Sequence, residues 1–187
     1  MPAVPVEDLL TRAKQLIVDF DEAIDQRVDR VRGQPALDRV MYAATELGDW
    51  SLLWHLIGAG QALLPGRDPM SSVRLSMILG AESLLVNGAI KGAFRRHRPV
   101  WEEDRPRPHR IRQPVTSSFP SGHASAGFTA AGVLSQGDPL WPVYYGLAAV
   151  VASSRVYVKM HHASDVIAGA AIGVGLAAVA RRVWRKP

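Results

Sequence analysis

The chain has no cysteine among its 187 residues, so disulfide bonds and metal sites built from thiolates are excluded. Its N-terminus lacks a basic start followed by an apolar core, and we therefore predict no cleavable signal peptide. No internal repeat or low-complexity segment stands out. A chain of this length fits one domain with a sizeable core.

Charge is spread unevenly along the chain. The 22 Lys and Arg residues and the 17 Asp and Glu residues give a net charge of +5, which in a polar domain would indicate nucleic acid. Here the charges concentrate in the N-terminal third, in residues 95–112 and in the C-terminal tail, with long stretches of Ala, Gly, Val and Leu between them. Such segregation is typical of a protein with several membrane spans. We therefore predict a membrane, and no nucleic acid, as partner of the basic residues.

Residues 6–32 carry apolar side chains at helical spacing, with charged residues on the opposite face. The segment has too many charges to cross a bilayer. Two arrangements fit the pattern equally well, an interfacial helix lying on the membrane and a helix packed on the spanning bundle. We assign residues 1–40 to this amphipathic helix and a linker, and residues 41–187 to a transmembrane domain.

Five apolar segments follow and predict an all-α fold, an integral-membrane helical bundle with about five spanning helices. Their polar interruptions, Glu46, Asp49, His55, Glu82 and Asn87, are typical of side chains that face a bundle interior, and we assign them no chemistry. The third segment is short for a full crossing. The predicted spans are Met41–Leu64, Met70–Phe94, Ser121–Gln136, Leu140–Val158 and Asp165–Val183.

The first basic motif is Lys91-x6-Arg98-Pro99. Lys91 and Arg98 are two helical turns apart and share one face if the second span continues that far. Pro99 disfavours helical geometry at Arg98 and helps to end the helix. Two cations at a helix terminus are well placed to hold a phosphate, although side chains that snorkel to the membrane interface give the same pattern.

The second motif is the tetrapeptide Pro120-Ser121-Gly122-His123, which opens a helix. Ser121 is a good N-cap, Gly122 permits close backbone approach, and the free amides of a helix N-terminus bind anions. His123 lies in the first turn, where the helix dipole disfavours its protonated form and a phosphate dianion would offset that effect. An ordinary capped helix with an interfacial histidine is the alternative.

The third motif is Ser154-Arg155-x5-His161-x3-Asp165. His161 and Asp165 are four residues apart at the start of a helix and so lie on one face. A carboxylate on one imidazole nitrogen fixes the tautomer, and the other nitrogen is then suited to attack phosphorus. Arg155 offers its guanidinium to phosphate oxygens. His162 competes for the nucleophile role, and a purely structural His–Asp hydrogen bond is the alternative.

Together the three motifs, K-x6-RP, PSGH and SR-x5-H-x3-D in that order, resemble those of the type 2 phosphatidic acid phosphatase (PAP2) superfamily. Its members are membrane lipid phosphatases that share their core with vanadium haloperoxidases. The resemblance covers about residues 41–184, and its x5 spacing favours His161 over His162. It implies a PAP2/haloperoxidase-like helical core, with residues 41–187 as a catalytic domain. It also implies no metal and no cofactor, and the sequence lacks a carboxylate cluster suited to Mg²⁺.

The resemblance implies a role for each matching residue. His161 attacks phosphorus and forms a phosphohistidine, with Asp165 orienting it. His123 protonates the leaving alkoxide and then activates the hydrolytic water. The implied phosphate ligands, which also stabilise the charge of the transition state, are Lys91, Arg98, Ser121, Gly122 and Arg155.

Members of the superfamily usually have six spans, with the catalytic face outside the cytoplasm. Here an amphipathic helix replaces the first span, so the catalytic face shares its side with the N-terminus. Of the 22 Lys and Arg residues, sixteen fall on that side and six on the other. The positive-inside rule therefore predicts a multi-pass protein of the bacterial cell membrane with a cytoplasmic catalytic face.

The predicted function is hydrolysis of a phosphomonoester or pyrophosphate on a lipid substrate. The candidate substrates are phosphatidic acid, phosphatidylglycerol phosphate, and polyprenyl phosphates or pyrophosphates such as undecaprenyl pyrophosphate. A cytoplasmic site would suit a phosphatase of decaprenylphosphoryl-5-phosphoribose in cell-wall arabinan synthesis. A vanadate-dependent haloperoxidase is disfavoured by the small chain and the membrane setting. A non-catalytic lipid-binding or transport protein is disfavoured by the intact His161, His123 and Asp165. No motif identifies the lipid or the oligomeric state.

Overall fold

Helices make up all the regular secondary structure in the residues that the computed structural model describes, 5–100 and 114–184. The prediction of an all-α fold is therefore confirmed for this part of the chain. The elements up to residue 93 are α1 (Val6–Asp29), α2 (Pro35–Gly48), a 3-10 turn (Asp49–Ser51), α3 (Leu52–Ala62), α4 (Met70–Ser83), a π-helix (Leu84–Ile90) and α5 (Lys91–Ala93). The later elements are α6 (Gly122–Leu134), α7 (Trp141–Tyr157) and α8 (Ala163–Val183).

The N-terminal helix α1 packs on the bundle through its polar face. Arg32, in the turn after α1, donates from Nε to the backbone carbonyl of Tyr157 (2.8 Å) and from Nη2 to that of Val156 (2.9 Å). The apolar face stays outside, since Val6 and Leu16 are 70% and 69% exposed. Of the two arrangements that the sequence left open, packing on the bundle is therefore observed. Contact of the exposed apolar stripe with lipid stays a prediction.

The first predicted span, Met41–Leu64, is not one continuous helix, contrary to the prediction. The helix α2 starts earlier, at Pro35, whose fixed φ suits a first helical turn. Trp50 and Ser51 then adopt left-handed backbone angles, with φ of 54° and 57°, and the helix breaks before α3. The break turns Asp49 towards α6, so the local strain serves the site described below. Because α2 also runs across residue 40, the predicted division into two regions there stays a prediction.

The second predicted span agrees with the structure to within one residue. The helical run from Met70 to Ala93 is continuous, but Leu84–Ile90 within it is a π-helix. A π-helical turn rotates the side chains that follow it about the helix axis, and such turns are frequent at functional sites. Because the helix ends at Ala93, the condition under which Lys91 and Arg98 would share a helical face is not met.

The helices α6 and α8 lie in close contact along most of α6. A Cβ added to Gly169 would lie 2.4 Å from the carbonyl oxygen of Ser121, and one added to Gly173 would lie 2.3 Å from that of Ser125. Small residues of this kind are what allow two helix backbones to approach closely. The N-termini of both helices consequently lie side by side, and the Ser121 amide donates to the Asp165 carbonyl at 3.0 Å.

The main apolar core lies where α3, α4, α6 and α7 meet. Trp54, Leu75 and Ala148, from three of these helices, are at most 1% exposed and pack in one cluster with residues of α6. A second, smaller cluster joins α2 to the end of α7 and includes Tyr42 and Tyr157. These contacts hold in place the helix ends that carry the three motifs.

Two helices of the described chain are long and apolar enough to cross a membrane, Met70–Ala93 and Ala163–Val183. The third predicted span, α6, has 13 residues, fewer than the ~20 that a hydrocarbon core requires. Large apolar side chains nevertheless cover parts of the outer surface, with Leu84 77% and Met77 59% exposed. Extended apolar exposure of this kind is expected of a surface that contacts lipid.

The substitution Gly169→Ala tests the close contact between α6 and α8. The added methyl group meets the Ser121 carbonyl, so we expect a loss of about 1–3 kcal/mol in stability, as at other overpacked sites, and a lower Tm in detergent. Gly175→Ala is the matched control on the same helix, because no atom lies within 4 Å of its new Cβ. It should leave the Tm unchanged or raise it, since alanine favours a helix. Equal Tm values for the two variants would contradict the packing argument.

Candidate active site

The three sequence motifs border one cavity. It has a volume of about 840 Å³ and lies at the end of the bundle where α6 and α8 begin and α7 ends. Six of the eight predicted site residues line the cavity: Lys91, Arg98, Gly122, His123, Arg155 and His161. The other two, Ser121 and Asp165, are fully buried and do not line it.

His161 is held in a single tautomer. Its Nδ1 lies 2.6 Å from the carbonyl oxygen of Ser118, and because a carbonyl only accepts hydrogen bonds, Nδ1 carries the proton. Nε2 then has the free lone pair, and it lies 3.5 Å from Nη1 of Arg98. Burial of the ring lowers the pKa of His161 to about 3, although Asp165 opposes the shift. The imidazole is therefore neutral at physiological pH, as a nucleophile must be.

Asp165 lies next to His161 but does not hold the ring in the way the sequence predicts. Its Oδ2 is 3.8 Å from Nδ1 of His161, which is beyond hydrogen-bond length. Oδ2 accepts instead from the His162 amide at 2.9 Å, in a capping box at the start of α8. Oδ1 accepts from Nη1 of Arg96 at 2.5 Å. The carboxylate therefore supplies charge beside the ring, while the Ser118 carbonyl fixes the tautomer.

His123 is bonded to a carboxylate to which the sequence assigns no role. Its Nε2 donates to Oδ1 of Asp49 at 2.8 Å, at the break between α2 and α3. Gly48 makes the approach possible, because a Cβ there would lie 2.6 Å from Cδ2 of His123. The Asp49 carboxylate stabilises a protonated His123 ring at the cavity wall, which suits a group that must give a proton to a leaving oxygen.

Three cations reach the cavity from different elements. Lys91 follows the π-helix, Arg98 lies on the extended segment beyond α5, and Arg155 lies in the last turn of α7. Arg98 is anchored by backbone carbonyls, including that of Met160 at 2.7 Å from Nη1. Arg155 is 4% exposed, and its Nη1 donates to Oγ1 of Thr45. Its Nε has no hydrogen-bond partner among the described residues. An unpartnered donor on a buried guanidinium, within a group of three cations, marks a site for an oxyanion.

The Pro120–His123 segment presents its backbone to the cavity rather than the Ser121 hydroxyl. Ser121 is the N-cap of α6, and its Oγ accepts from the Ala124 amide at 3.5 Å. Ser121 does not line the cavity, and its predicted role as a phosphate ligand stays a prediction. Gly122 does line the cavity, and a Cβ there would lie 2.8 Å from Oδ1 of Asn87. Glycine therefore leaves the first amides of α6 open to an anion.

Three residues contact residues of the site directly, although the sequence predicts no role for them: Asp49, Arg96 and Ser118. Asp49 is 74 residues from its partner His123, so no local spacing connects them. Ser118 acts through its carbonyl, which every residue type possesses. Arg96 is one of several arginines in the same loop, and the sequence does not distinguish it from the others. The arginines of that loop that lie outside the described residues are Arg105, Arg107, Arg110 and Arg112.

Comparison with known families agrees with this geometry. The model of the PAP2 superfamily matches residues 71–187, more than half of the chain. The chain belongs to the PAP2 superfamily. Among PAP2-like relatives, phosphatidylglycerophosphatase B of Bacillus subtilis (strain 168) is 31% identical over an alignment of 169 residues that covers 82% of this chain and 78% of the relative. An undecaprenyl-diphosphatase of Sulfolobus acidocaldarius is 43% identical over 63 residues, 33% of this chain and 31% of the relative.

Solved structures extend the PAP2 likeness to the fold. A transmembrane PAP2-type phosphatidylglycerolphosphate phosphatase from Bacillus subtilis superimposes with a TM-score of 0.69 at 26% identity, covering 92% of this chain and 90% of its own. LpxE of Aquifex aeolicus gives 0.68 at 25% identity, covering 86% and 93%. The resemblance predicted from the motifs is confirmed, and the chain is a phosphoric ester hydrolase. The transmembrane neighbour and the two long apolar helices indicate a membrane protein.

The substitution Asp49→Asn removes the charge beside His123 and keeps the size of the side chain. We expect kcat for a lipid phosphate to fall by about tenfold, less than the ~10²–10⁴-fold of acid–base catalysis as a whole, because His123 itself remains. KM should stay nearly unchanged, because the cations of the cavity are untouched. Steady-state phosphate release measures both constants, and Asp8→Asn, an exposed position on α1, is the control. Wild-type kcat in Asp49→Asn would show that the contact with His123 has no catalytic consequence.

Proposed function

We propose that this chain is a metal-independent membrane lipid phosphatase that hydrolyses a phosphomonoester through a phosphohistidine at His161. One observation carries the proposal. The free Nε2 of a neutral His161 lies in the same cavity as Lys91, Arg98 and Arg155. A nucleophile among cations suits a dianionic substrate, since the cations offset the repulsion between the attacking lone pair and the phosphate.

In the first step Nε2 of His161 attacks phosphorus. The N–P bond forms, and the bond from phosphorus to the lipid oxygen breaks. His123 acts as an imidazolium, which Asp49 and the charge of the substrate favour, and gives its proton to the departing alkoxide. The three cations hold the equatorial oxygens, and the Gly122 amide adds a donor at the start of α6.

In the second step water releases the phosphoryl group from His161. The neutral His123 takes a proton from the water as the new O–P bond forms and the N–P bond breaks. Inorganic phosphate leaves, His161 is again a neutral imidazole and His123 is again an imidazolium. Each histidine therefore returns to its starting state after one turnover.

His162 suits the nucleophile role less well than His161. It is the N-cap of α8, and its Nε2 lies 3.2 Å from the His97 carbonyl. It borders a groove beside α1, which His161 also borders, but it does not line the 840 Å³ cavity as His161 does. The geometry thus favours the same histidine as the motif spacing.

The relatives and the cavity wall support phosphatidylglycerol phosphate as the leading substrate. Phosphatidylglycerophosphatase B matches over most of this chain. The acidic residues Glu46, Asp49 and Glu82 also line the cavity, which suits the free hydroxyl of a glycerol leaving group and disfavours a second phosphate linked directly to the first. The shorter match to an undecaprenyl-diphosphatase makes a lipid pyrophosphate the second candidate. Decaprenylphosphoryl-5-phosphoribose stays a prediction from the sequence.

Replacing the proposed nucleophile, as His161→Ala, should lower kcat for phosphatidylglycerol phosphate by at least about 10³-fold. Phosphate release from mixed detergent micelles measures the loss. Phosphoenzyme trapped by alkaline denaturation, which preserves the acid-labile N–P bond, should be found in the wild type alone. His162→Asn keeps a good N-cap on α8 and, as the neighbouring control, should retain most of the activity. EDTA should not inhibit the wild type, whereas vanadate should. Full activity of His161→Ala, or equal loss in the two variants, would exclude a phosphohistidine at this position.

We also propose a multi-pass arrangement with the catalytic face in the cytoplasm, which the positive-inside rule favours. Because the chain has no cysteine, single engineered cysteines report the topology directly. Pro187→Cys should react with an impermeant maleimide on intact bacterial cells, and Val100→Cys, 84% exposed near the site, should react only after lysis. Labelling of Val100→Cys on intact cells would reverse the proposed orientation.

A further inference from the structure

Asp21 is a buried carboxylate on α1, a helix outside the residues that the family model matches. It is 5% exposed, and both of its oxygens are used. Oδ1 accepts from the Ser164 amide at 2.8 Å. Oδ2 accepts from the Ser164 hydroxyl at 2.7 Å and from Nη2 of Arg96 at 2.5 Å. A charged group is buried only where partners replace its water, and the partners of Asp21 lie at the start of α8.

Arg96 joins Asp21 to the active site. Nη2 of Arg96 donates to Asp21 and Nη1 donates to Asp165, both at 2.5 Å, so one guanidinium lies between two carboxylates. The backbone of Arg96 makes a second link, since its carbonyl accepts from the Ser118 amide at 2.9 Å. The carbonyl of Ser118 is in turn the acceptor for Nδ1 of His161. Arg96 therefore holds both groups that face Nδ1.

We propose that Asp21 is a positioning residue for the nucleophile and acts through Arg96 and Asp165. The inference rests on the role of His161 proposed above. Asp21 fixes the orientation of the planar guanidinium, which then holds Asp165 in one place beside the ring.

Charge gives a second reason for the role of Asp21. Attack by Nε2 places positive charge on the imidazole of His161, and nearby negative charge stabilises that state. Two carboxylates and one guanidinium leave a net charge of −1 behind the ring. Without Asp21 the remaining pair, Arg96 and Asp165, is neutral and stabilises the charged ring less.

Asp25, one turn further along α1, offers a matched comparison. It pairs with Arg32 at 2.6 Å and with Lys159 at 3.3 Å, and so it also ties α1 to the bundle. None of its described contacts involves Arg96. An effect of α1 on stability alone would therefore be shared by Asp21 and Asp25, whereas positioning of the nucleophile belongs to Asp21.

The experiment compares Asp21→Asn, Asp25→Asn, Arg96→Gln and the double variant Asp21→Asn/Arg96→Gln in the full chain in detergent. With phosphatidylglycerol phosphate, Asp21→Asn should lower kcat by about 10- to 100-fold, the range for outer-shell partners of functional groups. KM should stay nearly unchanged, because the cations of the cavity remain. Asp25→Asn should keep the wild-type kcat even if its Tm falls. Since Asp21 acts through Arg96, the double variant should lose no more than Arg96→Gln alone.

A second readout does not depend on turnover. The hydrogen-bonded Nδ1 proton of His161 should give a low-field NMR resonance in protein with ¹⁵N-labelled histidine, assigned by its loss in His161→Ala. The resonance should shift in Asp21→Asn and stay in place in Asp25→Asn. If the wild type lacks phosphatase activity, the proposed function fails, and this resonance still decides whether Asp21 positions the ring.

Four results would overturn the proposal: wild-type kcat in Asp21→Asn, equal loss of kcat in the two aspartate variants, additive losses in the double variant, or an unchanged Nδ1 resonance. If Asp21→Asn does not fold, Arg96→Lys takes its place. An ammonium cannot span two carboxylates as a guanidinium does, so kcat should fall at unchanged KM. A normal kcat in Arg96→Lys would equally overturn the role of Asp21.

Discussion

The close contact between α6 and α8 is the constraint on which the site depends. Gly169 and Gly173 let the backbone of α8 touch the carbonyls of α6, and both helices begin at the same end of the bundle. The packing of these two helices therefore places the Pro120–His123 segment beside Asp165 without any contribution from the loops. A reaction at one phosphorus atom requires several groups within reach of it. Helix packing meets most of that requirement, and the extended segment that carries Arg98 adds the rest.

A carboxylate lies next to each of the two histidines: Asp49 against His123, and Asp165 beside His161. Three cations, Lys91, Arg98 and Arg155, border the cavity, where they suit an anionic substrate. Burial makes this arrangement effective, because charge interactions are stronger away from water. The same burial keeps the ring of His161 neutral. One environment therefore favours both the nucleophile and the dianion that it attacks.

The bounds of some helices can be predicted from the local pattern of apolar residues, whereas those of others cannot. The run from Met70 to Ala93 and the helix α8 agree with prediction because each is an apolar segment bounded by clear signals. The first predicted span fails, since apolar composition does not register the left-handed backbone at Trp50 and Ser51. The break brings Asp49 to His123 at the start of α6, and hydropathy along one segment does not predict a contact between two segments.

The sequence by itself determined the motifs, their order and the chemistry of their side chains, because these follow from residue type and spacing alone. The prediction that His161 and Asp165 share a helical face is wrong, since α8 begins at Ala163 and His161 precedes it. Only the tertiary structure decided that the Ser118 carbonyl fixes the tautomer, that Asp49 joins His123 and that Arg96 lies between Asp165 and Asp21. Each of these contacts joins segments far apart in the chain. Their geometry is set by how helices pack against one another, and no periodicity within a single segment carries that information.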